Sequence, residues 1–137
     1  MKKILAGLII LLAVGVGIFL AMSKSDSSIT GNVIANPAAN AETKVFVVDS
    51  SHLRFYIDGV ENPDIVVNEG DKVRIEFTST EGFHDWVVDE FSAATEKVQA
   101  GGASSVEFIA DKKGTFEYYC SVGKHRANGM FGKFIVE

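Results

Sequence analysis

The residues best suited to chemistry lie in one short segment, Tyr118 to Met130, which reads YYCSVGKHRANGM. Cys120 is the only cysteine of the chain, His125 follows it by five residues, and Met130 follows that histidine by five more. Thiolates and thioethers are soft ligands that stabilise Cu(I), whereas imidazoles also accept Cu(II). One segment therefore offers three kinds of side chain that can bind the same transition-metal ion.

His84, within the sequence EGFHDWVV, is the best candidate for a further ligand, because it lies 36 residues before Cys120 at a predicted strand edge. Two imidazoles and a thiolate in a trigonal plane, with a weak axial thioether, form copper sites that transfer electrons. The pattern predicts one copper ion bound by His84, Cys120, His125 and axial Met130. His52 has no such partner and lies on the polar side of its predicted strand, so we interpret it as a surface residue and not a ligand.

Each candidate ligand has a simpler interpretation when it is taken singly. A lone cysteine cannot form an internal disulfide, so Cys120 is an inert core thiol, an intermolecular link or a metal ligand. Met130 by itself is compatible with a core-filling role, and His84 with a surface or hydrogen-bonded position. The joint spacing of these residues on a strand pattern favours the metal site.

Alternation of apolar and polar residues predicts that strands position these ligands. In DKVRIEFTST, Val73, Ile75 and Phe77 alternate with polar residues. Other predicted strands are KVFVVD, HLRFYIDG, PDIVVNEGD, SSVEFIA, KKGTFEYYC and GKFIVE. SAATEKVQA is compatible with one helical turn or a loop. Seven or eight short strands separated by turn signals predict an all-β fold, an antiparallel sandwich.

The strand TFEYYC leads directly into the candidate ligands. Strand alternation places Phe116, Tyr118 and Cys120 on one face. If Phe116 lies in the core, Cys120 points inward where the strand ends. His125 and Met130 then come from the following loop.

From about residue 43 to 137, the chain resembles a cupredoxin of the plastocyanin/azurin type. Cys-x4-His-x4-Met after a tyrosine-rich strand, with a histidine upstream, carries the resemblance. The resemblance implies a Greek-key β-sandwich of about eight strands with one type 1 (blue) copper ion. The ligands that it implies are His84, Cys120, His125 and axial Met130.

The loop departs from both named subfamilies, because four residues separate each consecutive pair among Cys120, His125 and Met130. Plastocyanins usually have a shorter first gap and azurins a shorter second gap, so loop length assigns neither subfamily. The resemblance also implies that Asp85 joins the two ligand segments by hydrogen bonds, although a solvated turn residue is an equal alternative. Three aromatic residues are expected to wall the site: Phe83, Trp86 and Phe131.

The predicted function is one-electron transfer between redox partners outside the cytoplasm. The alternative is copper storage or delivery, which would favour more Met or Cys than the one of each found beyond the N-terminal segment. Multicopper oxidases and nitrite reductases need further copper sites built from His-x-His pairs, and this chain has three histidines and no such pair. A binuclear site of the cytochrome oxidase type needs two cysteines. The sequence therefore predicts no enzymatic activity.

Residues 1–23 form a segment of a different kind. Lys2 and Lys3 precede an uncharged run of 19 residues, Ile4 to Met22. This run is longer than the roughly 7–15 apolar residues of a signal peptide and approaches the roughly 20 that span a bilayer. We expect an uncleaved anchor with the rest of the chain outside the cytoplasm, and secretion after cleavage is the alternative. Residues 24–42 are expected to be a flexible linker and residues 43–137 the domain.

The charge distribution argues for protein partners and against nucleic acid. The chain has 13 basic and 18 acidic side chains; without residues 1–41, which hold three lysines and one aspartate, 10 and 17 remain, a net charge of −7. No basic stripe with interleaved aromatic residues is present. In the resembling family an exposed histidine ligand is the route for electrons, and here Lys124 and Arg126 flank His125. We expect a monomer whose positive spot steers a membrane-associated redox partner with an acidic face, unless both side chains only keep the loop soluble.

Overall fold

Two β-sheets share one hydrophobic core in residues 42–137, the part of the chain that this computed structural model describes. The strands are β1 (Lys44–Ser51), β2 (Arg54–Ile57), β3 (Val60–Glu61), β4 (Ile65–Val67), β5 (Lys72–Ser79), β6 (Phe83–His84), β7 (Val87–Val88), β8 (Ala93–Ala94), β9 (Val98–Gln99), β10 (Ala103–Ile109), β11 (Gly114–Tyr119) and β12 (Phe131–Val136). Two short 3-10 turns lie at Asp89–Phe91 and Arg126–Asn128.

The all-β prediction is confirmed, with a more divided set of strands than the seven or eight expected. Sheet 1 has the order β10-β5-β1-β2-β3, sheet 2 has the order β4-β12-β11-β7-β8, and β6 pairs only with β9. A purely antiparallel arrangement is wrong for two pairs, because β1 runs parallel to β5 and β4 parallel to β12. The chain leaves sheet 1 after β3, forms β4 in sheet 2, and then returns as β5 in the direction of β1. Period-two patterns predict strands and their faces, but they do not identify partners.

The core contains the apolar faces predicted from the sequence. Val73, Ile75 and Phe77 of β5 are all at most 1% exposed. Trp86 is fully buried beside the ligand segment and stacks on Tyr118, with ring centroids 5.7 Å apart. Complete burial of such side chains stabilises the fold by roughly 1.5–3 kcal/mol each. This packing supports the strands that precede the candidate ligands.

Two local predictions need correction. His52 and Leu53, assigned to a strand by alternation, form the turn between β1 and β2, and both have left-handed backbone angles, with φ of 48° and 59°. A non-glycine residue in that region costs roughly 1–2 kcal/mol, so other contacts must stabilise the turn. Of the two alternatives for SAATEKVQA, the helical turn is wrong, because the segment consists of the short strands β8 and β9 joined by a loop.

The predicted N-terminal segment and almost all of the predicted linker lie outside the described residues. Among residues 42–137, no helix has both the length and the apolar character required to cross a membrane.

Gly132→Ala should destabilise the fold by about 1–3 kcal/mol, the usual cost of overpacking. Gly132 pairs with the fully buried Tyr118, and a Cβ at this position would lie 2.3 Å from the tyrosine ring. Urea unfolding measures the change. Tyr118→Phe is the matched comparison: it removes only the hydroxyl that donates to the Pro63 carbonyl at 2.7 Å, at a cost of about 1 kcal/mol. An unchanged urea midpoint for Gly132→Ala would contradict the close packing.

Candidate metal centre

Three segments bring three of the predicted ligands together. His84 is the second residue of β6, and its pairing with Val98 of β9 fixes its backbone. Cys120 directly follows β11, and His125 immediately precedes the second 3-10 turn. Tyr118 and Cys120 are both buried, and Phe116 is partly buried and packs against the same core, which confirms the inward face predicted for β11.

Backbone hydrogen bonds close the loop that carries the other candidate ligands. The Cys120 amide donates to the Met130 carbonyl at 3.1 Å, and the Met130 amide donates to the His125 carbonyl at 3.0 Å. The His125 amide donates to the Val122 carbonyl, also at 3.0 Å. A turn precedes the methionine, with Gly129 at a φ of 94°. The loop therefore holds Cys120 and His125 in a fixed relation, with the backbone of Met130 bonded to both.

The donor atoms of His84, Cys120 and His125 form a compact triangle. The two Nδ1 atoms lie 3.1 Å apart, and Sγ of Cys120 lies 3.7 Å from Nδ1 of His84 and 3.5 Å from Nδ1 of His125. A point equidistant from three atoms with these separations lies about 2.0 Å from each, close to the metal–nitrogen and metal–sulfur bonds of about 2.0–2.3 Å known for zinc. The triangle can hold one metal ion without rearrangement of the backbone.

Burial sets the ionisation of the thiol and one imidazole. Cys120 is 1% exposed, and burial raises the pKa of its thiol to about 11, although the Asp85 and Val122 amides oppose this by hydrogen bonding to the sulfur. The pKa of His84 is lowered, first by burial and then by the neighbouring His125. At neutral pH His84 is therefore a neutral ligand. A metal ion that binds Cys120 must displace the thiol proton.

Asp85 joins the two ligand segments. It is 3% exposed, and its carboxylate accepts the Ser121 amide at 2.7 Å and the Ser121 hydroxyl at 2.5 Å. The interpretation as a solvated turn residue is therefore wrong, and the interpretation as a link between the segments is confirmed. Such hydrogen bonds fix the residues beside His84 and Cys120 and so limit their movement.

Comparison with known proteins identifies the kind of metal that this arrangement binds. A family model described as copper binding proteins, plastocyanin/azurin family, matches residues 41–137. The chain belongs to this family. A copper-containing nitrite reductase of Neisseria meningitidis is 34% identical over an 84-residue alignment that covers 53% of this chain and 22% of that protein. The chain thus spans about a fifth of the length of the curated relatives it matches.

Solved cupredoxin structures share the fold. Rusticyanin from Thiobacillus ferrooxidans aligns with a TM-score of 0.59 at 26% identity, over 71% of this chain and 79% of that chain. Auracyanin A, a "blue" copper protein from Chloroflexus aurantiacus, aligns with a TM-score of 0.58 at 19% identity, over 70% of this chain and all of that chain. The cupredoxin resemblance inferred from the sequence is confirmed.

The cofactor of this cupredoxin is copper, and His84, Cys120 and His125 form a site for a single copper ion. Two imidazoles and one thiolate are the donor set expected for a blue copper site. The side chain of Met130 is fully buried, and its assignment as axial ligand stays a prediction. Three donor atoms from two distant parts of the sequence face one another, and this arrangement supports the prediction of a bound copper ion.

An open groove of about 430 Å³ lies against the site. Its lining includes both ligand imidazoles and the side chains of Leu53, Phe83 and Val122. His125 is partly exposed, whereas His84 is 2% exposed. Of the aromatic residues expected to wall the site, Phe83 lies in the groove, Trp86 lies in the core, and Phe131 is 44% exposed after Met130.

Sequence reasoning missed the polar wall of this groove, formed by His52 and Glu81. His52 is a surface residue as predicted, with 81% of its side chain exposed, and its Nδ1 lies 3.2 Å from a Glu81 carboxylate oxygen. The two residues are 29 positions apart. No local sequence pattern signals their contact, because the two residues meet only where the neighbouring parallel strands β1 and β5 end side by side.

Proposed function

We propose that this cupredoxin is a one-electron carrier. The observation that supports the proposal most directly is the triangle of donor atoms, with separations of 3.1–3.7 Å, fixed by hydrogen bonds on both sides. Copper bound there would supply a one-electron Cu(II)/Cu(I) couple, since the thiolate favours the reduced ion and the imidazoles the oxidised ion. Side chains that already face one another need little movement when the charge of the site changes.

The frame around the ligands is suited to this role. Ser121 is bonded to Asp85, and Met130 is bonded through its backbone to both Cys120 and His125. Burial of the thiol excludes water from one side of the site, while His125 reaches the groove. The chain therefore holds its ligands firmly and leaves one imidazole accessible to a partner.

We also propose that the protein has no enzymatic activity. Within the described residues, His84, Cys120 and His125 are the one set of three or more His, Cys, Asp or Glu donors placed to hold a metal ion. A copper enzyme with a second catalytic copper ion needs another such set. The similarity to nitrite reductase covers 22% of that protein, and we assign it to the copper domain alone.

Repeated reduction and reoxidation tests the carrier function. The purified protein, loaded with one copper ion per chain, is reduced with ascorbate and reoxidised over several cycles, with copper content measured after each cycle. A carrier should recover its full oxidised absorption and retain its copper. Loss of copper on reduction would contradict the carrier proposal and support the alternative of copper storage or delivery.

Met130→Leu should raise the reduction potential while copper and the visible absorption are retained. The buried leucine preserves much of the side-chain volume but removes a weak thioether donor to Cu(II). Each tenfold loss of preference for Cu(II) over Cu(I) corresponds to about 59 mV. Redox titration followed by absorption measures the shift. Complete loss of copper would show that Met130 is more than a weak axial ligand, and an unchanged potential would remove it from the ligand set.

The positive spot expected beside His125 depends on Lys124 more than on Arg126. Arg126 pairs with Glu117 and lies 4.0 Å above the ring of Tyr119, so its charge is largely compensated. Lys124 is exposed and forms no ion pair among residues 42–137. We propose that Lys124 attracts the acidic face of a redox partner to the exposed histidine.

Lys124→Glu should slow oxidation of the reduced protein by hexacyanoferrate(III), a small trianion used as probe. The effect should shrink as salt rises past about 0.1 M, where the screening length is about 10 Å. Lys113→Glu is the matched control, because Lys113 immediately precedes β11 and so lies at the opposite end of that strand from Cys120. Equal oxidation rates for both variants at low salt would contradict local steering by Lys124. The assignment of the copper site would not be affected by that result.

We further propose that residues 1–23 anchor the protein in a membrane, with residues 43–137 outside the cytoplasm as a monomer. Residues 24–42 would then act as a tether. For about 20 flexible residues the root-mean-square reach is about 25 Å, which would let the domain move between membrane-bound partners. Membrane fractionation and N-terminal sequencing test this proposal. A wholly soluble mature protein that begins after residue 22 would support signal cleavage and secretion instead.

A further inference from the structure

We propose that Glu81 is a positioning residue for the ligand His84. Its carboxylate holds the turn between β1 and β2, and this contact fixes the backbone of Glu81 and Gly82 against the His84 imidazole. The inference rests on the proposed function, since a fixed ligand orientation matters for a carrier.

The turn held by Glu81 is strained. His52 and Leu53 both have positive φ angles although neither is glycine. The Glu81 carboxylate accepts the His52 amide at 2.5 Å and the Ser51 hydroxyl at 3.3 Å. A hydrogen bond to a charged acceptor is stronger than one between neutral groups, and here it opposes the cost of left-handed backbone at His52 and Leu53. Glu81 therefore helps to hold this turn in its left-handed conformation.

The backbone around Glu81 is attached to the same strand end by further bonds. The amide and hydroxyl of Thr80 both donate to the Ser50 carbonyl, at 3.0 and 2.6 Å. The Ser79 hydroxyl donates to the carbonyls of Glu81 at 3.1 Å and Gly82 at 3.3 Å. The segment that leads from β5 to His84 is thus bonded at Thr80 and again at Glu81 to the end of β1.

This segment packs directly against the imidazole. A Cβ built on Gly82 would lie 2.7 Å from Nε2 of His84, while Nδ1 on the other side of the ring faces Cys120 and His125. The backbone of Gly82 therefore lies beside the imidazole and limits its rotation away from the site.

The ion pair between the side chains of His52 and Glu81 would not by itself position His84. The side chains of His52 and Glu81 are 81% and 50% exposed, and ion pairs this exposed contribute little to stability. The contact that we consider decisive is with the His52 amide, so it does not depend on the imidazole of His52. Substitutions at the two positions should therefore have different effects.

The test compares Glu81→Ala and Glu81→Gln with two controls. His52→Asn removes the imidazole but keeps the amide, and asparagine tolerates left-handed backbone. Glu76→Ala removes another exposed glutamate, which pairs with Arg74 on sheet 1. Nitrogen-15 NMR of the His84 ring in the metal-free and Cu(I)-loaded full-length proteins reports its orientation. Chelator competition measures copper affinity, and the oxidised absorption spectrum reports the ligand set.

Glu81→Ala should shift the His84 ring resonances and weaken copper binding about 10-fold or more, within the range known for partners of metal ligands. Glu81→Gln, which keeps an acceptor oxygen, should give a smaller change, while both controls should match the wild type. If both Glu81 variants match Glu76→Ala in ring resonances and affinity, the proposal is wrong. If His52→Asn causes the same changes as Glu81→Ala, the imidazole pair and not the amide contact positions the ligand, which also overturns it.

These readouts separate this inference from the carrier proposal. The ring resonances of the metal-free protein do not depend on electron transfer. Wild-type protein that loses copper on reduction would refute the carrier function, while a shifted His84 ring in Glu81→Ala would still support the positioning role.

Discussion

Cys120→Ser should abolish the intense visible absorption of the copper-loaded protein. The absorption expected for a blue copper site arises from charge transfer between the Cys120 thiolate and Cu(II). Serine has nearly the same shape, but its hydroxyl is a hard donor and is protonated at neutral pH. The two imidazoles, with Nδ1 atoms 3.1 Å apart, would remain. Copper affinity should fall by more than the roughly 10–100-fold that is typical when a residue hydrogen-bonded to a metal ligand is substituted.

Absorption spectra and chelator competition, with both proteins at the same copper content, measure this change. Near-ultraviolet circular dichroism establishes whether the variant keeps its packed core. Met130→Leu is the comparison variant, because it should retain the band. A Cys120→Ser protein that keeps both the core and the full absorption would contradict the assignment of Cys120 as the thiolate ligand.

Gly82→Ala should have the second largest effect, although it adds a single methyl group. The new Cβ would lie 2.7 Å from Nε2 of His84, so the ring or the backbone must move. The 3.1 and 3.7 Å separations that define the copper triangle would then change. We expect copper affinity to fall about 10–100-fold and the visible band to shift.

Gly70→Ala separates this collision from simple backbone strain. Gly70 has a φ of 88°, close to the 82° of Gly82, but a Cβ there would meet nothing within 4 Å. Both variants should lose about 1–2 kcal/mol of stability because alanine disfavours left-handed backbone. Only Gly82→Ala should alter the copper site. Equal copper affinity and equal spectra for the two variants would show that Gly82 does not confine the imidazole.

The sequence was sufficient to predict that the side chains of His84, Cys120 and His125 meet. Cys120 ends an alternating strand, and a soft thiolate near a histidine and a methionine restricts the possible metals. The link from Asp85 to Ser121 was one of two open alternatives, because adjacency to a ligand does not show whether a carboxylate is buried. Burial, which the structure gives as 3% exposure of Asp85, decides between them.

Long-range contacts were not predictable in the same way. Alternation assigned His52 and Leu53 to a strand, although their turn depends on a contact with Glu81, 29 residues away from His52. Likewise, Arg126 lies in the loop after β11, and its charge is compensated by contacts with Glu117 and Tyr119 of that strand. Counting both basic residues that flank His125 in the sequence therefore overestimates the positive charge beside it. Strand partners and ion pairs are properties of the assembled sheets and leave no periodic signal.

The most direct test of the central claim is the absorption and electron paramagnetic resonance spectrum of the purified, oxidised protein with its copper content determined. A mononuclear site of His84, Cys120 and His125 predicts one copper ion per chain, an intense thiolate-to-Cu(II) band in the visible region, and a single Cu(II) signal. A colourless protein that holds stoichiometric Cu(II) would contradict the account, because the Cys120 thiolate would then not be bound to copper.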